Sequence, residues 1–409
     1  MSSILSLWHD DFISEHFLNG KAMAGSQLDS HGKQSSFPTY VTKPFLPPLK
    51  EFIPYLEDIW NTRILTNRGI YHTKLEEELC KYLGVNYISL CSSATTGLLI
   101  ALKALEIDEE VITTPYSFVA TAHSLLWSGI KPVFVDIDPV TLNINPLKIE
   151  EAITTKTSAI LALHCYGTPC EVDKIEEIAS RRGLKVIYDA AHAFGVESNE
   201  GSILNHGDLS IVSFHATKVF NTLEGGAIIS PDLKSKVYID KLLNFGFEDD
   251  TSVLTLGLNG KMSEVNAALG LLQLKSIDNI IKKRSIIDAL YRQRISAIQG
   301  ISCLQTSRAW SSNYAYFPIF VESEYPLSRD ELYEKLKRLG IHTRKYFYPL
   351  ITSFPMYKQF SSSNVTNHPV AAKLAAEVLC LPIFPELSTK RVIEICKMIA
   401  EFQVNPVED

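Results

Sequence analysis

Two hydrophobic periods alternate through the middle of the chain. Short runs rich in β-branched and aliphatic residues predict strands at Tyr87–Cys91, Val111–Thr114, Pro132–Val135, Ala159–His164, Lys185–Tyr188, Leu209–Phe214 and Ala227–Ser230. Between them, apolar residues three and four apart predict helices at Thr95–Leu105, Phe118–Trp127, Leu147–Ile153 and Val172–Arg182. Strands that alternate with helices of this length form right-handed crossover units, so the expected fold class is α/β, with a mostly parallel mixed sheet covered on both faces. Upstream, KPFLPPLKEF and the amphipathic run to Trp60 predict an arm and a helix. After Met262 one long helical pattern runs through Leu271–Ile298, followed by a strand at Ala315–Val321, a helix at Arg329–Leu339 and a last helix from Lys390. The expected organisation is therefore a large α/β domain over 41–285 and a smaller C-terminal α+β domain over 286–409. Residues 1–40, with the small polar stretch GKAMAGSQLDSHGKQSS, read as a flexible N-terminal extension.

Composition narrows the class. The chain has 409 residues, 46% hydrophobic and 21% charged, which is ordinary globular usage and enough chain for a large core. Its net charge of −7 argues against nucleic acid as the main partner, because a surface for a phosphate backbone needs a basic excess. No apolar stretch reaches the roughly 18 residues that a membrane helix requires. The start MSSILSLWHDDF meets Asp10 and Asp11 without a basic region, unlike a signal peptide. The seven cysteines, Cys80, Cys91, Cys165, Cys170, Cys303, Cys380 and Cys396, form no CxxC pair and sit mostly in apolar runs, as reduced thiols of a cytoplasmic protein do. His164, Cys165 and Cys170 fit no standard zinc spacing, so no metal is expected.

The chemistry gathers at strand ends, where open α/β sheets collect their ligands. The strand LKVIYD ends in Asp189 and continues DAAHAFG; DLSIVSF ends in Ser213 and Phe214 and continues HATKVFNTLEGGA; YISLC runs into SSATTG, which opens a helix. Each feature has a plain alternative. Asp189 can cap a turn, Lys218 can be a solvated lysine, Ser92, Ser93 and Thr95 can be N-cap residues, and Phe118 can pack in the core. Together they meet one need. Pyridoxal phosphate (PLP) takes a lysine for its Schiff base, an anionic partner for its ring nitrogen and a helix N-terminus for its phosphate.

The run SFHATKVFNTLEGGA, with DAAHAFG before it and LGLNGKMSEVNAALGLLQL after it, resembles the DegT/DnrJ/EryC1/StrS family of PLP-dependent nucleotide-sugar aminotransferases. The similarity extends from about Val41 to near the C-terminus and includes DIDPVTLNINPLKIEEAI and HCYGTPCEVDKIEEIA in family order. The resemblance implies the aspartate-aminotransferase-like fold (fold type I) and pyridoxal 5′-phosphate as cofactor. It makes Lys218 the Schiff-base lysine, Asp189 the carboxylate at the ring nitrogen, and His192 the residue beside the ring hydroxyl. Ser213, Ala94 and Thr95 match phosphate-binding positions and Phe118 the ring-stacking aromatic. Asn259 matches the asparagine that reaches the phosphate from the partner subunit, which implies a homodimer with shared sites.

Departures from the family pattern leave PLP binding intact, since the backbone N–H of the phosphate turn survives, and otherwise fall on substrate contacts. Ser93-Ala94-Thr95 stands where many relatives have SGT, Leu258 replaces a tyrosine, Gly260-Lys261 replaces an aromatic-arginine pair, and RKYFYPL (Arg344–Leu350) lacks the common histidine. Arg344, Lys345 and Lys261 are candidates for the pyrophosphate, and Tyr346 and Tyr348 for the sugar or base; a solvated basic pair beside core aromatics is the alternative. The local spellings are similar to the subgroup acting on dTDP-linked keto-6-deoxy sugars. The expected reaction moves an amino group from L-glutamate to dTDP-4-dehydro-6-deoxy-D-glucose, with a 3-keto-6-deoxyhexose as runner-up substrate. Products of that kind serve O-antigen, other lipopolysaccharide or glycosylated metabolites. Lysine at position 218 argues against the dehydratases of the family, which carry histidine there. Intact Lys218, Asp189 and Ser213 argue against a non-catalytic regulator, and no GxGxxG follows an early strand, as an oxidoreductase would require.

Overall fold

All seven predicted central strands join one sheet. In the computed structural model, which describes residues 38–305 and 309–404, these are β1 (Tyr87–Cys91), β2 (Glu110–Thr113), β3 (Lys131–Phe134), β4 (Thr157–Leu163), β5 (Lys185–Asp189), β6 (Leu209–Ser213) and β7 (Gly226–Ser230). Their spatial order is β1-β7-β6-β5-β4-β2-β3. Every pairing is parallel except the two made by β7, which runs antiparallel to both β1 and β6. The reason is local: the link from β6 to β7 is a loop without a crossover helix, so the chain returns beside the strand it left.

Neighbouring residues on each strand point to opposite faces, and both faces are apolar. Ile112, Ile160, Val186 and Val212 enter one core, while Val111, Leu161, Ile187 and Ile211 enter the other. Each such buried side chain contributes roughly 1.5–3 kcal/mol. The covering helices are α1 (Leu49–Thr62), α2 (Ile70–Leu83), α3 (Ala94–Ala104), α4 (Val119–Trp127), α5 (Pro146–Ala152), α6 (Val172–Arg182), α7 (Leu233–Leu242), α8 (Glu264–Leu274) and α9 (Ile277–Ile295). Ser93, Asn145, Asp232 and Ser263 start α3, α5, α7 and α8 by accepting a backbone N–H, and Pro146 occupies the first turn of α5.

The long helical pattern expected through Leu271–Ile298 is corrected to two helices that meet at Lys275-Ser276. The break lets α8 pack on α1 and α2 while α9 crosses to the C-terminal part. No glycine or proline marks it, so periodicity alone runs straight through. α2 and α7 were not anticipated, because charged Glu76 and Lys236 sit on their inward faces and interrupt the apolar stripe.

The C-terminal part holds β8 (Ile301–Cys303), β9 (Phe317–Val321) and β10 (Val378–Leu381), all antiparallel, with α10 (Arg329–Arg338), α11 (Pro369–Glu377) and α12 (Thr389–Val404). A capping box between Ser328 and Glu331 opens α10. α9 feeds two cores: Ile277 and Ile280 join the first, and Ile287, Tyr291 and Ile295 pack with Phe317, Leu332, Leu379 and Ile395. All seven cysteines are free. Among the described residues no helix is long and apolar enough to cross a membrane. The extension read at 1–40 lies outside the described residues up to position 37.

Candidate active site

Sheet register brings the polar strand ends together. Gly226 at the start of β7 is paired with Cys91 on one side and Ser213 on the other. α3 begins three residues after Cys91 behind its Ser93 cap, whose hydroxyl accepts Thr96 N–H at 3.1 Å. The N–H groups of Ala94 and Thr95 precede the first helical carbonyl they could bond, so they remain donors for an anion. A Cβ on Gly226 would lie 2.7 Å from Ala94 N and 2.8 Å from the Ser93 carbonyl carbon. Only glycine lets the helix N-terminus close on the sheet there. Ser213 is buried on the far side of the same glycine, with its Oγ accepting His215 N–H at 3.4 Å.

Asp189 ends β5, one strand from Ser213. Its carboxylate is buried and held at both oxygens: Thr121 Oγ1 donates to Oδ2 at 2.7 Å, and Ala191 N–H donates to Oδ1 at 3.1 Å. Burial raises its proton affinity, while Thr121, Ala191 N–H and Lys218 act against that. Thr121 lies in the first turn of α4, the helix capped by Phe118, and Phe118 itself is 57% exposed. Core packing within this chain, the plain alternative for Phe118, does not hold.

Lys218 stands in the turn after β6, fixed by its own N–H to His215 O at 2.9 Å and by Thr222 N–H to Phe214 O at 2.9 Å. Burial lowers its pKa to about 8, with Asp189 and Tyr346 pulling it back up. Its Nζ donates to Tyr316 Oη at 3.3 Å. His192 is buried and accepts Tyr166 N–H on Nδ1 at 3.2 Å, so the ring proton belongs on Nε2. Burial, Lys218 and His164 hold its pKa well below the usual imidazole value, which keeps it neutral. Its ring stacks on Phe347 at 5.9 Å and meets Tyr316 edge-on at 4.8 Å.

The remaining candidates separate. Tyr346 joins the Lys218 group: its ring meets Tyr316 at 5.8 Å, and its carbonyl accepts the Tyr116 hydroxyl at 3.3 Å and the Tyr166 hydroxyl. Lys345 turns to Asp330, at 2.5 Å, and lies over the Tyr333 ring at 4.3 Å. Tyr348 is half exposed beneath the Arg329 guanidinium at 4.5 Å. Arg344 is exposed beside the β10 backbone. Asn259 is exposed on a loop whose Gly260 carbonyl accepts Ser92 N–H at 2.7 Å. Lys261 donates to Asn244 Oδ1 at 2.5 Å and lines a cavity of about 310 Å³ with Arg68, His72 and Asp240. Sequence reading passed over Thr121, Asn313, Tyr316 and Phe347. For Thr121 a signal existed, since a hydroxyl falls on the inner face of a predicted helix three residues after Phe118.

A buried carboxylate, a lysine with a weakened hold on its proton and a helix N-terminus closed over glycine fit PLP by their chemistry. Comparison with known proteins agrees. The profile of the DegT/DnrJ/EryC1/StrS aminotransferase family matches residues 49–400. A dTDP-4-amino-4,6-dideoxy-D-glucose transaminase of Shigella dysenteriae is 55% identical over 366 residues, 90% of this chain and 99% of that protein. A transaminase of the same description from Escherichia coli is 53% identical over 364 residues, 88% of this chain and 97% of that one. Among solved structures, that of DesI in the presence of its TDP-sugar product superposes with a TM-score of 0.87 at 31% identity, covering 92% of this chain and 96% of DesI. The chain belongs to the DegT/DnrJ/EryC1/StrS aminotransferase family.

Proposed function

We propose that this protein is a PLP-dependent transaminase of dTDP-sugars. It moves the amino group of L-glutamate to dTDP-4-dehydro-6-deoxy-D-glucose and yields dTDP-4-amino-4,6-dideoxy-D-glucose. The observation that carries the reading is the near-full-length identity with two transaminases of that product. The lysine and carboxylate at neighbouring strand ends support the PLP chemistry this reaction uses. When bound, PLP supplies a carbonyl that takes up amino groups and a ring that withdraws electrons. Lys218 anchors it and, with a pKa near neutrality, takes and returns a proton at the substrate carbon. Asp189, fixed by Thr121 and Ala191 N–H, holds the ring nitrogen in its charged form. With PLP bound, neutral His192 would offer Nε2–H to its hydroxyl, Phe118 would supply an aromatic face, and Ser213 with the N–H groups of Ala94 and Thr95 would hold its phosphate.

Arg344 and Lys261 meet the pyrophosphate in this reading, and Tyr346 lines the sugar pocket. The active form is a homodimer in which Asn259 crosses to the neighbouring site. Support comes from its exposure together with that of Leu254 and Leu256 on the same loop. The boundary between large and small domains lies within α9, near residue 285. The enzyme works in the cytoplasm, and its product serves surface polysaccharide such as O-antigen. Incubation with glutamate and the 4-keto sugar nucleotide, with the product identified by mass and NMR, tests the assignment. A 4-amino product and stoichiometric 2-oxoglutarate support it; amination of a 3-keto sugar alone refutes the substrate.

A further inference from the structure

Among the described residues the amine of Lys218 has one hydrogen-bond partner, Tyr316 Oη at 3.3 Å, a residue with no part yet in the reaction. The tyrosine is tightly specified. Its ring lies edge-on to His192 at 4.8 Å and Tyr346 at 5.8 Å, tilted on Tyr166 at 5.6 Å, with the Lys218 ammonium 5.9 Å from its centroid. The chain just before it is pinned to the opposite side of the site. Asn313 Nδ2 donates to His192 O at 2.8 Å and to Phe194 O at 2.9 Å, and its Oδ1 accepts Ala315 N–H at 3.0 Å. Tyr314 adopts the left-handed region at φ 54°, which a bulky residue seldom does. Buried Arg284 holds that bend by donating to Tyr314 O at 3.1 Å and Ala315 O at 3.4 Å. A turn bent and pinned in this way delivers one hydroxyl to one amine.

We propose that Tyr316 is the positioning residue for Lys218. Its hydroxyl accepts from the lysine amine whenever that amine is not bonded to the cofactor, and so keeps the proton carrier at the reacting carbon. The proposal rests on the transaminase reading, because only there does the same lysine alternate between anchor and free base. The charged and titratable groups facing Nζ are Asp189 from the end of β5, His192 from the loop after it, Tyr316 from the lead into β9 and Tyr346 from the segment after α10. Asp189 favours the ammonium by its charge, with no hydrogen bond to Nζ. Tyr316 adds direction, since an accepted hydrogen bond fixes where the lone pair lies once the proton leaves.

The test is Tyr316→Phe, which keeps every ring contact and removes one oxygen. In full-length protein freed of cofactor, acetylation of Lys218 is followed against pH by peptide mass. Losing an acceptor of the charged form lowers the midpoint by roughly half to one unit. With PLP restored, the single-turnover rate of amino transfer from glutamate falls roughly tenfold, with the glutamate KM and the melting temperature unchanged. A Y316F protein whose Lys218 midpoint and single-turnover rate both match wild type overturns the proposal. So does one whose glutamate KM rises while the rate constant stays, because that marks a substrate contact instead. Wild-type protein that aminates no keto sugar refutes the transaminase reading, while the lysine midpoint in the cofactor-free protein still decides the role of Tyr316.

Discussion

Replacing Lys218 by methionine should stabilise the cofactor-free protein at neutral pH. Burial lowers the affinity of Lys218 for its proton from the ordinary 10.5 to about 8. The unfolded chain has the ordinary value, and each unit is worth about 1.4 kcal/mol, so folding with the ammonium in place costs about 3 kcal/mol. Methionine matches the stem and has no charge to desolvate. It gives up the bond to Tyr316, worth about 1 kcal/mol, which leaves a net gain of about 2 kcal/mol. The sign with pH follows from linkage. Below pH 8 both forms of the chain carry the proton and the full cost is present. Between pH 8 and 10.5 the unfolded chain binds more protons than the folded one, so wild type gains stability as pH rises and the difference closes. Thermal unfolding at a fixed scan rate should show K218M melting roughly 2–4 °C higher at pH 7, with the difference closing as pH rises and reversing by about 1 kcal/mol above pH 10.5, where only the lost Tyr316 bond remains. Equal melting at pH 7, or a gap that does not change with pH, refutes the reasoning.

Gly226→Ala places a Cβ against three backbone atoms, at 2.7 Å from Ala94 N, 2.8 Å from Ser93 C and 2.9 Å from Val212 O. It should lower stability by about 1–3 kcal/mol and weaken PLP binding at least about tenfold, read by fluorescence titration of the cofactor. Asp189→Asn keeps the size of the side chain and removes its charge; turnover should fall at least about 100-fold in a coupled 2-oxoglutarate assay, with the melting temperature near wild type. Arg344→Ala should raise the nucleotide-sugar KM about tenfold, since the side chain is exposed and an arginine–phosphate contact is strong. Lys345→Ala should change it less than about twofold, because that ammonium already sits 2.5 Å from Asp330.

The seven central strands and the helices between them were legible because burial on both faces leaves long uninterrupted apolar runs, and Ile211 or Leu161 can stand nowhere else. Helices that bury charge were not. Glu76 faces inward from α2 because Lys236 at 3.1 Å and Arg68 at 3.2 Å neutralise it, and no local pattern announces Lys236, 160 positions away. Lys218 and Asp189 were legible as strand-end residues, and the motifs around them carried the family. Thr121, Asn313 and Tyr316 are fixed by contacts across 68, 121 and 98 positions, and their role exists only in the folded chain. The basic and aromatic run Arg344–Tyr348 shows the converse. Adjacent residues look like one binding segment in sequence, yet the backbone sends Tyr346 to Lys218 and Lys345 to Asp330.

The central claim is that Lys218 anchors PLP and carries amino transfer to a 4-keto sugar nucleotide. The most direct test is borohydride reduction of the PLP-loaded protein with mapping of the labelled peptide, alongside amination of dTDP-4-dehydro-6-deoxy-D-glucose by the unreduced sample. The account predicts one label per chain, on Lys218, and a 4-amino product formed with 2-oxoglutarate in equal amount. Label on another lysine, or amination that persists in Lys218→Ala, contradicts it.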